Sequence, residues 1–185
     1  KNPRFNTKGL NTGVMMGFTN SMLEVINKQQ PTHIAVAFDT PKPTFRHERF
    51  PAYKSHREAT PEDIRAGVPY VREIIESFNI PILELDGYEA DDVIGTLAAQ
   101  ASELGIETLI STGDKDMAQL VNKHVSLINT MTDLYSDVAG VKVKYGLTPE
   151  QSIDYLAVMG DKADNITGVA EAGRQTAVKG VAEQR

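Results

Sequence analysis

The 185-residue chain contains no cysteine, so it can form neither a disulfide framework nor a thiolate metal centre, and a reducing compartment is compatible with it. Histidine is scarce as well. The four present, His33, His47, His56 and His124, show no metal-ligand spacing, which leaves oxygen as the only plausible donor for a metal. Long apolar runs are also missing. Nothing approaches the roughly 18 residues of a membrane span, and the opening Lys1-Asn2-Pro3-Arg4 lacks a signal-peptide core, so a soluble, intracellular protein with no membrane partner is expected. An overall positive charge is lacking too. The net charge of −6 gives no global basic footprint for a nucleic acid, and any such footprint must be local.

What the chain does have is acid at chain turns. Gly87-Tyr88-Glu89-Ala90-Asp91-Asp92 is followed by Thr112-Gly113-Asp114-Lys115-Asp116 and then by Gly160-Asp161-Lys162-Ala163-Asp164-Asn165. Asp39 adds a fourth position. Singly, each acid has a plainer role as a helix cap or turn residue, and Asp86 is read as a turn residue only. Jointly they would repel one another unless hard cations neutralised them, and oxygen-only ligands select magnesium or manganese. Two such ions about 3.5–4 Å apart can activate a water and stabilise the leaving oxygen of a phosphodiester. The local basic footprint is present as well. Between Lys42 and Arg57 lie Lys42, Arg46, Arg49, Lys54 and Arg57 against the single acid Glu48, with Phe45, Phe50 and Tyr53 interleaved. Lys54 and Arg57, spaced i and i+3, would project from one helical face toward phosphates, the Tyr53 ring could stack an unpaired base, and His56 is a further phosphate contact.

Hydrophobic periodicity places these turns. Helices are expected over 13–28, from the Thr60-Pro61 cap to about 78, over 90–104 and from the Thr148-Pro149-Glu150-Gln151 capping box to about 158, with a short one near 117–121. Strands are expected at 34–38, 80–85, 107–111 and 125–129. This alternation predicts one α/β domain with a mainly parallel sheet covered by helices on both faces, and ligands in such sheets collect beyond the carboxyl ends of the strands. Asp39, the 86–92 cluster and Asp114/Asp116 all follow expected strands and should share one rim.

The segments Phe38-Asp39, Thr44-Phe45-Arg46, Tyr53 to Arg57, Glu89 to Leu97, Ser111 to Leu120 and Gly160 to Ile166 resemble, in order and over nearly the whole chain, the 5′-nuclease domain of bacterial DNA polymerase I, within the flap endonuclease superfamily. The resemblance implies a PIN-like α/β core over 1–158, with a helical arch within 42–78, and a degenerate helix-three-turn-helix over 159–185. It implies removal of 5′ flaps and RNA primers during DNA replication and repair, with two Mg2+ or Mn2+ ions and a monovalent cation at the hairpin. Asp39, Asp91 and Asp114 would serve mainly one divalent ion, and Asp116, Asp161 and Asp164 mainly the other, with Glu89 and Asp92 in or beside the shell. Lys54 and Arg57 would be the catalytic cations gripping the scissile phosphate. Arg46, Tyr53, Lys54, His56, Arg57, Gly168, Gly173 and Thr176 would bind the nucleic acid. A monomer in the bacterial cytoplasm, acting on flapped or nicked DNA, with a polymerase domain in the same polypeptide, completes this expectation.

The chain departs from the resemblance in two places. The family's first strand, with its metal-binding aspartate, would precede Lys1, so the chain is expected to be a fragment without that strand and without the C-terminal helices. In the hairpin, Thr167 and Ala170 replace prolines, Glu171 a glycine and Gln175 a lysine, which sets negative charge where a phosphate should sit. A non-catalytic DNA-binding fragment is therefore an alternative, and a magnesium phosphatase a more distant one, since Phe38-Asp39-Thr40-Pro41 lacks an Asp-x-Asp nucleophile motif.

Overall fold

A computed structural model describes residues 4–170 and 173–183; Glu171, expected to face a phosphate, lies outside the described residues. The first helix, α1 (Gly13–Gln29), ends where Gln30 turns left-handed and its N–H bonds the Ile26 carbonyl. Its apolar stripe, Val14, Phe18, Met22 and Ile26, packs on α3 (Glu62–Ser77), which contributes Val71, Ile74 and Ile75. A β-carbon on Gly67 would touch the Val14 side chain at 3.4 Å, so the absence of a side chain there sets how closely the two helices approach. Proline at 61 stands just outside α3 rather than at its first turn, one residue later than the Thr60 cap expected.

Beneath this helix pair, β1 (Val36–Ala37) and β2 (Ile82–Leu83) run parallel, Val36 opposite Ile82, and their side chains complete the same apolar cluster. A second cluster forms around β3 (Thr108–Ser111) and β4 (Val125–Asn129), also parallel, with α4 (Ala90–Glu103) and the 3₁₀ turn Asp116–Leu120 against them. Ala98, Ile110, Met117, Val121, Val125, Leu127 and Val141 are buried in it. The expected strands are present, β4 at its full expected length and the other three shorter, and they belong to two ladders rather than one continuous sheet.

Three elements went unread in the sequence. The short antiparallel β5 (Leu134–Ser136) pairs with β4, and α5 (Val138–Tyr145) follows, capped by the Asp137 carboxylate on the Gly140 N–H. The five-residue α2 (Phe45–Arg49) interrupts the basic segment. The Thr148 capping box opens first a 3₁₀ turn, Pro149–Gln151, and then α6 (Ser152–Met159). Beyond α6, β6 (Gly160–Asp161) and β7 (Ile166–Thr167) pair antiparallel across the 3₁₀ turn Lys162–Asp164, and α7 (Arg174–Ala182) packs back on α6 through Ala177 and Val181. Of the segment 42–78 expected to form an arch, α3 packs on α1, and the longest stretch without helix or turn structure is 57–61.

Among the described residues no helix is long and apolar enough to cross a membrane.

Candidate active site

The acidic turns lie near one another in the fold. Asp39, just past β1, accepts the Ala90 N–H at 2.7 Å and so ties the end of β1 to the start of α4. Asp91 stands one residue further along α4. Burial pushes its carboxyl above the usual range, and the nearby charges of Asp114, Asp39 and Glu89 push the same way. These four acids, contributed from beyond β1, β2 and β3, occupy one region, as strand-end placement predicts.

A second acidic region lies beside it. Asp114 Oδ1 accepts the Asp116 N–H at 2.8 Å, while the Asp114 N–H donates to Thr112 Oγ1 at 3.0 Å, so the turn is closed by its own side chains. Burial raises the Asp116 carboxyl to about 6; Lys115 offsets this in part, and Asp114 and Asp161 reinforce it. One Asp116 oxygen, Oδ1, is buried without a hydrogen-bond partner. Burial acts on Asp161 too, but the Ala163 N–H at 2.7 Å and Lys115 Nζ at 3.2 Å hold its carboxyl below the ordinary value. Lys115, given no role from the sequence, is thus the counterion of this region; its place inside the Asp114–Asp116 turn was the available signal.

Asp164 stands apart from that pair. Arg57 Nη2 reaches its Oδ1 at 2.6 Å and the Tyr53 hydroxyl lies 3.0 Å from its Oδ2. The same hydroxyl lies 3.0 Å from Glu89 Oε2, and Lys54 Nζ donates to Glu89 Oε1 at 2.6 Å. Burial and the Glu89 carboxylate push the Tyr53 phenol well up, so it stays a donor. The backbone supports this docking. Lys54 N–H bonds the Asp164 carbonyl at 3.0 Å, Asn165 Nδ2 donates to the Ala52 carbonyl at 2.8 Å, and Arg57 Nε donates to the Ala163 carbonyl at 2.9 Å. Asn165, with left-handed φ of 60°, is a positioning residue that sequence reasoning passed over.

Several expectations change in this geometry. Lys54 and Arg57 do not share a helical face, because 51–56 is a series of turns and Lys54 has φ of 53°; the turn nonetheless delivers both to the same carboxylates. Tyr53 is only 5% exposed, with its ring edge-on to His47, and in this position it offers no face to a base. Arg46 and Asp92, expected to meet nucleic acid and metal, meet each other: both guanidinium nitrogens lie 2.7 Å from the two Asp92 oxygens. Asp92 also accepts the Glu89 N–H at 3.0 Å as the third residue of α4, and the Arg46 pairing holds it below the usual carboxylate range. His56 is exposed and has no hydrogen-bond partner among the described residues.

The hairpin glycines differ in kind. A side chain on Gly168 would collide with the Met159 and Val158 backbones, and one on Gly160, whose φ is +67°, with that of Gly168. Gly168 is therefore required by chain-to-chain packing. Gly173 is open and caps α7, where Thr176 is exposed in the first turn.

A cleft of about 460 Å³ lies in front of these groups, lined by Arg46, Tyr53, Glu89, Asp91, Asp116 and Asp164 among others. Among the described residues no three acids converge closely enough to hold one ion in the geometry found. The donor chemistry nevertheless fits hard divalent cations: every candidate ligand is a carboxylate, two are raised by burial and mutual repulsion, and one buried oxygen has no hydrogen bond, only Lys115 Nζ at 3.8 Å.

Solved structures define the class of fold. The flap endonuclease of bacteriophage T5, in a pseudo-enzyme–product complex with DNA and metal ions, superposes with a TM-score of 0.83 at 21% identity, covering 98% of this chain and 70% of that one. The same phage protein co-crystallised with metal ions gives 0.79 at 23% identity over 91% and 68% of the two chains, and the catalytic core of Rad2 in complex with DNA gives 0.60 at 18% over 92% and 52%. The chain has the α/β fold of these nucleases. Sequence comparison then assigns the family. The model of the 5′-3′ exonuclease N-terminal, resolvase-like domain matches residues 1–146, and the chain belongs to that family. It is 46% identical to DNA polymerase I of Bacillus caldotenax over 179 residues (94% of this chain, 20% of that protein) and 46% identical to that of Pseudomonas aeruginosa over 176 residues (95% and 19%). The chain therefore spans about a fifth of the length of these relatives.

Proposed function

We propose that the chain is a structure-specific 5′ nuclease that hydrolyses phosphodiesters in 5′ flaps, nicked DNA and RNA primers using divalent metal ions. The observation that carries this reading is that eight acids from four separate stretches of chain, Asp39, Glu89 to Asp92, Asp114 to Asp116 and Asp161 to Asp164, are linked by hydrogen bonds, ion pairs and mutual charge beside a turn bearing Lys54 and Arg57. Seven of them are candidate holders of metal. Asp39, Glu89, Asp91 and Asp114 would hold one ion, and Asp114, Asp116, Asp161 and Asp164 a second; Asp92 is instead committed to Arg46. Bound there, two magnesium or manganese ions would supply an activated water and charge stabilisation for an in-line displacement.

The chain's own residues do the rest. Asp39 and the Thr112 turn orient the donors through backbone contacts, Tyr53 holds Glu89 and Asp164 in register, and Asp92 with Arg46 anchors the start of α4. Lys54 and Arg57, now neutralising Glu89 and Asp164, stand where they can pass to a phosphate once cations take over those carboxylates. The open first turn of α7, with Gly173 and Thr176, is suited to a duplex phosphate through its backbone N–H groups, and a monovalent cation near the hairpin belongs to the same reading. The relatives' length makes a polymerase domain in the same polypeptide part of this proposal, as are a monomeric state and a cytoplasmic location.

The test is cleavage of a 5′-flap duplex in magnesium, with a chelator control. Cleavage should require the metal, and Asp114→Asn or Asp116→Asn should abolish turnover far more than binding, because the metals act in the transition state while affinity comes from phosphate contacts. The spread of the acids favours one other reading, a DNA-binding module without catalysis; flap binding with no metal-dependent cleavage would establish that instead.

A further inference from the structure

With the Tyr53 ring enclosed, an exposed aromatic face is found next to Glu89 instead. Tyr88, which directly precedes Glu89, is 47% exposed and packs against Phe45, their ring centroids 5.6 Å apart and tilted by 55°. The Phe45 N–H bonds the Gly87 carbonyl at 3.0 Å, so α2 and the 85–88 turn present the two rings as one unit. Arg46 connects this unit to the acids, since its guanidinium lies 4.6 Å from the Phe45 ring centre while bonding Asp92. Arg49 sits 5.8 Å from the same ring, is exposed, and has no acidic partner among the described residues.

We propose that Tyr88, backed by Phe45, is a stacking platform for one unpaired nucleobase of a single strand, with Arg49 taking the phosphate next to it. The inference rests on the nuclease reading above and adds a subsite to it. An apolar protein partner would favour a face depleted of charge, whereas an exposed ring packed on Phe45, which itself carries an uncommitted guanidinium, matches the alternation of base and phosphate along a strand. The position fits as well, since Tyr88 directly precedes Glu89, a candidate metal ligand that lines the cleft.

The experiment is a fluorescence titration of the 185-residue chain into a short single strand carrying one 2-aminopurine, in chelator so that nothing is cleaved. The parent should quench the 2-aminopurine on binding. Tyr88→Ala and the volume-keeping Tyr88→Leu should each bind about tenfold more weakly and lose the quenching, whereas Tyr88→Trp should retain both. Arg49→Ala should keep the quenching at saturation but lower the salt slope by about 0.7. A strand with an abasic position replacing the 2-aminopurine should not distinguish parent from Tyr88→Ala. Parent-like quenching and affinity in Tyr88→Leu would overturn the platform and leave the nuclease reading standing, provided the parent still cuts the flap duplex. A parent that neither binds the strand nor cuts the flap would remove both.

Discussion

Asp116 shows most clearly what an acid costs among other acids. Its folded value of about 6 lies above the ordinary 3.8, so between those values the native chain holds more protons than the unfolded one, and stability falls as pH rises through the window. In chelator, Asp116→Asn should therefore make the protein more resistant to urea at pH 7 by roughly 1 kcal/mol, the full shift being discounted for partial exposure, and the gain should fade as pH approaches 4. A variant no more stable than the parent at pH 7 would show that the charge is tolerated at no cost. The Arg46–Asp92 pair works oppositely. Removing one partner leaves the other charge partly buried, so Arg46→Met and Asp92→Asn should each destabilise by about 1–3 kcal/mol, while the double variant loses less than their sum. Manganese affinity of Asp92→Asn should match the parent if Asp92 serves the fold and not a metal.

At the scale of elements, the β6–β7 hairpin is the part whose geometry leaves least freedom. Gly160 and Gly168 approach so closely that any side chain meets backbone, which cannot be moved aside as a flexible side chain can. Gly168→Ala should cost about 2 kcal/mol or more in a thermal melt and disturb Asp161 and Asp164, which flank the turn between the two strands. Gly180→Ala, in the interior of α7 with open space around it, should instead stabilise by about 0.5–1 kcal/mol. Opposite signs from two glycines twelve residues apart would separate packing from helix propensity; equal signs would contradict the close approach.

For the whole molecule, the acidic total and a nucleic-acid partner are reconciled by internal pairing. Three of the five cations of the basic segment are paired with acids of the site, Lys54 with Glu89, Arg57 with Asp164 and Arg46 with Asp92, so much of its charge is exchanged within the molecule before it is offered to a phosphate. If metals release Lys54 and Arg57, then Lys54→Ala or Arg57→Ala should lower the log–log salt slope of duplex binding by about 0.9 per contact in magnesium, under conditions where cleavage is blocked by an uncleavable backbone. In chelator the same substitutions should change the slope much less. Equal slopes for parent and variants in magnesium would leave these side chains as purely internal partners.

The α/β class, the helix limits to within a few residues and the strand-end placement of Asp39, Asp91, Asp114 and Asp116 were legible in the sequence, because hydrophobic period and turn chemistry are local properties. So was the membership of Lys54 and Arg57 in the site, through their motif. What they do there was not. Whether Asp92 faces a cation or an arginine, whether the Tyr53 ring is open or enclosed, and whether Gly168 admits a phosphate or another stretch of chain all depend on residues about 10 to 110 positions away. No local period encodes those distances. Only the folded chain, which brings Asp164 to Tyr53 and Arg46 to Asp92, decides which charges are spent on structure and which remain for a substrate.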